Sequence, residues 1–358
     1  MKLLIITQKV DREDNVLGFF HAWLFEFAKY FEKIIVICLE KGEYDLPNNI
    51  KVLSLGKEEY SRYSRAIRRL ASLCRFYKYI WKERKNYDAV FIHMNPEYVI
   101  LGGWLWRIMD KKISLWYVHR QSNWRIKIAE KLVNNAFSVS EKTFPFKSGK
   151  LHLLGHGIDT EKFKCDRKTG DGDRIKIISA GRITKIKNLD ILIKAAKILR
   201  KKNTKGFEIG IIGAPATEQD KKYLIFLKNL AREEKVEDIA RFCGAVEYNK
   251  MPGIYCQSHI LINLCPTGGI DKAVLEAMAC GIPAIVSNES FIPYFGDLDG
   301  RLIFKYRDEN DLSAKIIDLA DNCNNSIRKF LREQVEKHHN LKILIKKLSE
   351  KIINGQKD

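Results

Sequence analysis

Cys265-Pro-Thr-Gly-Gly-Ile-Asp-Lys-Ala-Val-Leu-Glu-Ala-Met-Ala-Cys-Gly281-Ile-Pro-Ala-Ile-Val-Ser287 reads as strand end, glycine-bearing loop, helix, glycine stop and strand. The apolar run Ile260-Leu-Ile-Asn-Leu264 precedes it, and Val274, Leu275, Met278 and Ala279 fall on one face of the helix. Asp271 is placed to cap that helix, and Gly281 and Pro283 to end it. A loop without large side chains that delivers backbone N–H groups at a helix N-terminus is a ready anion site. The same stretch also fits an ordinary tight βα connection.

The alternation extends outward in both directions. Apolar runs predict strands at 3–7, 34–39, 52–55, 89–92, 113–117, 136–139 and 152–154, with a helix over 19–31. It restarts in the second half, with strands at 175–180, 207–213, 260–264, 284–287 and 302–304. Helices are expected near 218–234 and 311–321, after an Asn188 cap, and at 340–353. Such alternation is the mark of an α/β chain with mostly parallel sheets, in which ligands sit beyond the carboxyl ends of the strands. Polar residues over 164–174 read as a linker. They include Asp171-Gly-Asp173, whose spacing can chelate a divalent ion but reads better as a solvated turn. The expected division is 1–164, 165–335 and a terminal helical segment, 336–358, packing back toward the first domain.

With 358 residues, 46% hydrophobic and 30% charged, the chain has the composition of a globular protein with room for two cores. No run of about eighteen apolar residues marks a membrane span. Residues 1–7 are too short for a signal peptide and read as a first strand, so the protein is expected in the cytoplasm. Eight scattered cysteines, none in a C-x-x-C pair, are expected to be reduced, buried small hydrophobes. The net charge of +19 favours polyanionic or phosphorylated partners. No helix-turn-helix, zinc-finger or other nucleic-acid signature accompanies it. Residues 60–87 interleave Arg62, Arg65, Arg68, Arg69, Arg75 and Lys78 with Ile67, Leu70, Leu73, Phe76, Tyr77, Ile80 and Trp81. This basic amphipathic helix suits an anionic membrane surface, which would place the protein peripherally on the inner face. It equally suits a helix whose apolar stripe packs on a sheet.

The basic loop Gly181-Arg182-Ile-Thr-Lys-Ile-Lys187 follows a strand, where ligands gather. A guanidinium fork and an ammonium there can hold a diphosphate and stabilise a leaving group. Together with Leu275-Glu276-Ala277-Met278-Ala279-Cys280-Gly281-Ile-Pro283 it resembles glycosyltransferase family 4, whose members are retaining enzymes of the GT-B fold. Gly155-His-Gly-Ile-Asp159-Thr-Glu-Lys-Phe163 and Asp308-Glu-Asn-Asp-Leu312 are similar to further stretches of that family. The resemblance implies two Rossmann-like domains facing a central cleft, an acceptor domain first and a donor domain second.

Carried over by position, it makes Arg182 and Lys187 the diphosphate ligands of a nucleotide diphosphate sugar and Glu276 the ligand of the donor ribose. Gly269, Ile270 and Lys272, with the Asp271 backbone, would face the phosphates, and Gly18 would lie in the loop approaching donor and acceptor. His119 matches the family's active-site histidine. Gly268 stands where the first glutamate of the family's Glu-x7-Glu motif is expected, and Asp271 is the nearest carboxylate that could replace it or merely cap the helix. The implied activity is transfer of a sugar, with retention, to a glycan or lipid-linked acceptor, with no metal and no cofactor besides the donor. A nucleotide-sugar epimerase of the same fold and a non-catalytic nucleotide-sugar-binding protein are the alternatives. Base, sugar and acceptor are read by loops that vary freely within this architecture.

Overall fold

A computed structural model describes residues 1–59, 64–120, 122–165, 174–202, 206–266 and 268–354. The chain divides into two compact units, one formed by Met1–Gly157 with the last helix and the other by Ile158–Asn340.

The first unit runs β1 (Lys2–Val10), α1 (Phe19–Phe27), β2 (Lys33–Lys41), β3 (Ile50–Ser54), α2 (Arg65–Lys82), β4 (Ala89–His93), α3 (Pro96–Ile108), β5 (Lys112–Trp116), α4 (Trp124–Leu132), β6 (Asn135–Ser138) and β7 (Leu151–Leu153). Its strands lie in the order β3-β2-β1-β4-β5-β6-β7, all parallel. Every residue of β4 is buried, as expected of a central parallel strand covered on both faces. Phe76 and Ile80 of α2, Val99 and Trp106 of α3, and Ile126 of α4 share one core cluster with Leu4, Ile6, Ile35 and Val90. Each such side chain contributes about 1.5–3 kcal/mol by leaving water.

The amphipathic helix expected over 60–87 is thus α2, and residues 60–63 lie outside the described part. Its Phe76 and Ile80 pack on the sheet, whereas Ile67, Leu70 and Trp81 are exposed, as are Trp104 and Ile108 of α3 and Trp124 of α4.

The second unit runs β8 (Ile175–Ala180), α5 (Leu189–Lys202), β9 (Phe207–Ile212), α6 (Glu218–Glu233), β10 (Ala240–Gly244), α7 (Met251–Cys256), β11 (Ile260–Asn263), α8 (Lys272–Ala279), β12 (Ala284–Val286), α9 (Ile292–Phe295), α10 (Asp299–Leu302), α11 (Glu309–Asn322) and α12 (Asn325–His339). The final helix, α13 (Leu341–Asn354), belongs to the first unit and packs against α1. The second sheet has the order β10-β9-β8-β11-β12, again parallel throughout. In both sheets the strand order reverses beside the first strand of the unit, between β1 and β4 and between β8 and β11, and ligands of such sheets bind at these switch points.

Several expectations change. The boundary lies at 157/158 rather than 164/165, because Ile158 N–H bonds to His339 O at 2.6 Å and Phe163 packs on Tyr248 and Tyr255. The expected linker falls mostly outside the described residues, Asp171-Gly-Asp173 included. The strand expected at 302–304 is a single bridge from Ile303 to Val286 at the end of α10. β10 is an edge strand whose only buried residue is Ala240, so it presents no apolar run to find. The cysteines are not all reduced: Cys165 and Cys256 form a disulfide across 91 residues, brought together when the segment after Phe163 packs on α7. Nor are all the rest buried, since Cys74 and Cys243 are exposed.

Candidate functional site

The β8/β11 switch point gathers the basic loop, the glycine-bearing loop and α8. The β8 loop ends in a short turn over 185–187, which Asn188 closes at a φ of 45°. Asn188 was expected to cap α5, but its side-chain amide donates to Ile186 O at 3.1 Å and to Leu264 O at 3.0 Å, and so ties the β8 loop to the β11 loop. The loop after β9 supports the same turn backbone to backbone. A Cβ added at Gly213 would stand 1.8 Å from Gly181 O, so only glycine permits this approach.

On the other side, Ser287 Oγ donates to Cys265 O at 2.7 Å and Asn288 Nδ2 to Gly269 O at 2.7 Å, pinning the glycine-bearing loop to the end of β12. Asp271 occupies the N-cap position of α8 but makes no side-chain cap bond. Its Oδ2 instead accepts from Lys187 Nζ and from Asn263 Nδ2, both at 2.8 Å. Burial alone would lower the Lys187 ammonium, but Asp271 more than offsets that and holds it above its ordinary value. Burial alone would raise the Asp271 carboxyl, and Lys187 with Asn263 brings it below the usual range. Arg182, in the same loop, is exposed.

Glu276, one turn into α8, is buried. Tyr255 Oη donates to Glu276 Oε2 at 3.1 Å, and the Tyr248 hydroxyl bonds to the same carboxylate. Burial pushes its carboxyl from 4.5 up to about 7, against the pull of Lys272 and the two hydroxyls. Burial likewise pushes the Lys272 ammonium down to about 7, against the attraction of Glu276. Lys162, lying over the Tyr248 ring at 4.5 Å, adds a further positive charge toward Glu276.

The second unit therefore brings together Arg182, Lys187, Gly269, Ile270, Asp271, Lys272 and Glu276 within one loop-and-helix system. Gly268 is buried beside them and offers no carboxylate. Gly18 and His119 lie in the first unit. Gly18 precedes α1 with a helical φ of −55°, its N–H bonded to Asp14 O at 3.1 Å. His119 follows β5, is exposed, and its N–H bonds to Thr143 O at 2.9 Å.

Sequence reasoning missed Asn263, Tyr248, Tyr255 and the carboxylate-directed role of Lys162. Only Asn263 left a trace, as the one polar residue closing an apolar strand at its carboxyl end. Among the described residues, no helix is long and apolar enough to cross a membrane.

Known proteins resemble both the sequence and the fold. A family model described as glycosyl transferases group 1 matches residues 161–342. The amylovoran biosynthesis glycosyltransferase AmsK of Erwinia amylovora is 28% identical over 150 residues, 40% of this chain and 35% of that protein. The GDP-mannose-dependent alpha-(1-6)-phosphatidylinositol monomannoside mannosyltransferase of Mycolicibacterium smegmatis is 26% identical over 161 residues, 41% of this chain and 40% of that protein. The chain thus spans well under half the length of these curated relatives. Anabaena HepE, solved in complex with UDP and glucose, superposes with a TM-score of 0.76 at 13% identity, covering 99% of this chain and 100% of that one. Sucrose-phosphate synthase from Thermosynechococcus elongatus superposes at 0.73 with 14% identity, covering 98% of each chain. These likenesses establish the fold as GT-B.

Proposed function

The chain belongs to the group 1 glycosyl transferases, and from that premise we propose that it moves a sugar from a nucleotide diphosphate sugar to a glycan or lipid-linked acceptor with retention, as a family 4 enzyme with an atypical Glu-x7-Glu motif. The observation that carries the reading is the convergence, at the β8/β11 switch point, of the Arg182–Lys187 loop with a helix bearing a buried glutamate. Glu276 accepts the vicinal ribose hydroxyls, a task suited to a carboxylate with two acceptor oxygens. Arg182 and Lys187 bind the diphosphate, and the backbone N–H groups of Gly269, Ile270, Asp271 and Lys272 face it at the start of α8. Charge building on the departing diphosphate meets these donors already in place, and donors fixed before the reaction stabilise that charge without reorganisation.

Asp271 stands in for the carboxylate missing at Gly268. What supports this is that its oxygen is turned away from the helix cap, toward Lys187 and Asn263. His119 orients the transferred sugar, and Gly18 shapes the first-unit loop that approaches donor and acceptor. The exposed apolar groups of α2, among arginines and lysines with no acidic residue in the helix, support a peripheral seat on an anionic membrane and hence a lipid-linked acceptor. Absence of a carboxylate at Gly268 also favours a second reading, a nucleotide-sugar-binding protein without turnover.

A thermal-shift panel of nucleotide diphosphates and their sugars tests the proposal, followed by hydrolysis of the sugar nucleotide that binds. Expected are a stabilised protein, slow donor hydrolysis, and about 10–150-fold weaker binding in Arg182→Ala, the worth of one charge-assisted hydrogen bond. Binding that is indifferent to Arg182→Ala refutes the donor site. Binding without hydrolysis or transfer favours the second reading.

A further inference from the structure

Three cysteines that no sequence spacing connects meet in the second unit. Cys165 follows the segment tied to α7, Cys256 is the last residue of α7 and Cys280 follows α8, and their Sγ atoms lie within 4.8 Å of one another. Cys165 and Cys256 are joined as the disulfide, and Cys280, 6% exposed, stands beside it as a free thiol. The Lys164 carbonyl oxygen lies 3.7 Å from Cys256 Sγ. Arg332, held on Phe163 O at 2.9 Å, Thr160 O at 3.0 Å and Ala279 O, places a positive charge toward Cys280.

We propose that, once the disulfide is reduced, Cys165, Cys256 and Cys280 form a three-thiolate site for one zinc-like divalent metal ion. Reduction by a dithiol breaks the S–S bond, places two electrons and two protons on the protein sulfurs, and releases the reductant as its own disulfide. Metal binding then breaks three S–H bonds, forms three metal–sulfur bonds and releases three protons, leaving one net negative charge beside Arg332. Thiolate ligands select metals of this softness over magnesium or calcium. Metal–sulfur bonds of about 2.3 Å in tetrahedral geometry set the sulfurs about 3.8 Å apart. Side-chain rotation from Cα atoms 5.5 Å apart reaches that separation for Cys165 and Cys256, and Cys280 is already within 4.8 Å.

The site also clamps the surroundings of Glu276. Lys162 lies just before Cys165, Tyr255 immediately precedes Cys256, and Glu276 sits one turn before Cys280. Either state, disulfide or metal, holds together the three segments that face this carboxylate. That coupling rests on the donor reading above, whereas metal binding itself does not.

The test uses the full chain, reduced with a dithiol, stripped of metal by a chelator, kept free of oxygen and titrated with cobalt(II). Sulfur-to-cobalt charge-transfer absorption should rise to an end point at one equivalent, and zinc should then displace the cobalt. The disulfide form should show no such band, and Cys280→Ser, which removes one of the three ligands, should bind more weakly by at least the roughly 10–100-fold lost with a mere outer partner of a ligand. Cys74→Ser and Cys243→Ser, which remove the exposed thiols, should leave the titration unchanged. A reduced protein without a one-equivalent end point, or a band equally strong in Cys280→Ser, overturns the proposal. So does a band of equal strength in the unreduced wild type, a control that needs no substitution. Nucleotide diphosphate affinity on the same samples keeps the two readings apart: metal binding with no nucleotide binding sinks the donor assignment alone.

Discussion

Glu276→Gln should make the donor-free protein more stable and the donor complex weaker. The carboxyl is raised from 4.5 in the unfolded chain to about 7 in the fold. At roughly 1.4 kcal/mol per pH unit, ionising it in place costs about 3 kcal/mol once the pH is well above 7. The sign follows from the raised value: the protonated acid's contribution is fully present below pH 4.5 and is lost as the pH rises through 7. Gln keeps an oxygen for the Tyr255 hydroxyl and carries no charge, so its variant should lack this slope. Lys272, itself pushed down to about 7, is mostly neutral at pH 8.5 and adds little penalty there when its carboxylate partner is gone. Urea unfolding from pH 4.5 to 8.5 should find the variant comparable at the acid end and up to about 3 kcal/mol more stable at the alkaline end. Calorimetric titration with the nucleotide diphosphate identified by thermal shift should find it about 10–150-fold weaker, because ribose hydroxyls lose a charged acceptor. In the wild type, affinity should climb as the pH passes through 7. An unfolding profile parallel to wild type, or unchanged affinity, would refute the assignment of a strained, ligand-seeking carboxylate to this position.

Other outcomes follow from particular contacts. Gly213→Ala forces a Cβ to within 1.8 Å of Gly181 O and should cost at least about 2–3 kcal/mol, against about 1 kcal/mol for Gly244→Ala, where the added atom meets nothing within 4 Å. Equal urea midpoints for the two variants would contradict the backbone contact. Asp271→Asn keeps the shape but removes the charge that Lys187 faces, so turnover should fall by about 10²-fold while nucleotide diphosphate binding persists. Full turnover in that variant would show the carboxylate to be incidental. Flotation with vesicles of anionic lipid should retain the protein in a salt-sensitive way and release it on charge reversal of Arg68 and Arg69. No retention by the wild type would remove the membrane reading.

The strands and most helices were legible because their signals are local. Runs such as Ile34 to Leu39 fit a strand covered on both faces, as the strands of a parallel sheet are, and the spacing of Leu189, Leu192, Ile193, Ala196 and Leu199 fits a buried helical face. Arg182 and Lys187 could be singled out for the same reason, since a basic loop after a strand is visible in a few residues, whereas Glu276 was marked only by its match to the family's motif. The short polar edge strand β10 and the bridge at Ile303 were not, because neither forms a run that burial alone explains. Asp271 looked like a helix cap because the sequence shows its neighbours along the chain and not Lys187 and Asn263, which approach it only when β11 is inserted beside β8.

By itself, then, the sequence determined two alternating α/β units, a cationic loop at the end of one strand and an anion-accepting loop at the start of one helix. The tertiary structure decided what each polar group faces: Tyr248 and Tyr255 on Glu276, Lys187 on Asp271, and three cysteines in one place. The division is physical. Hydrophobic periodicity is written along the chain at spacings of two to four residues, whereas the charge and protonation of a buried side chain depend on partners tens of residues away. The order of strands in the sheet brings those partners within hydrogen-bonding distance.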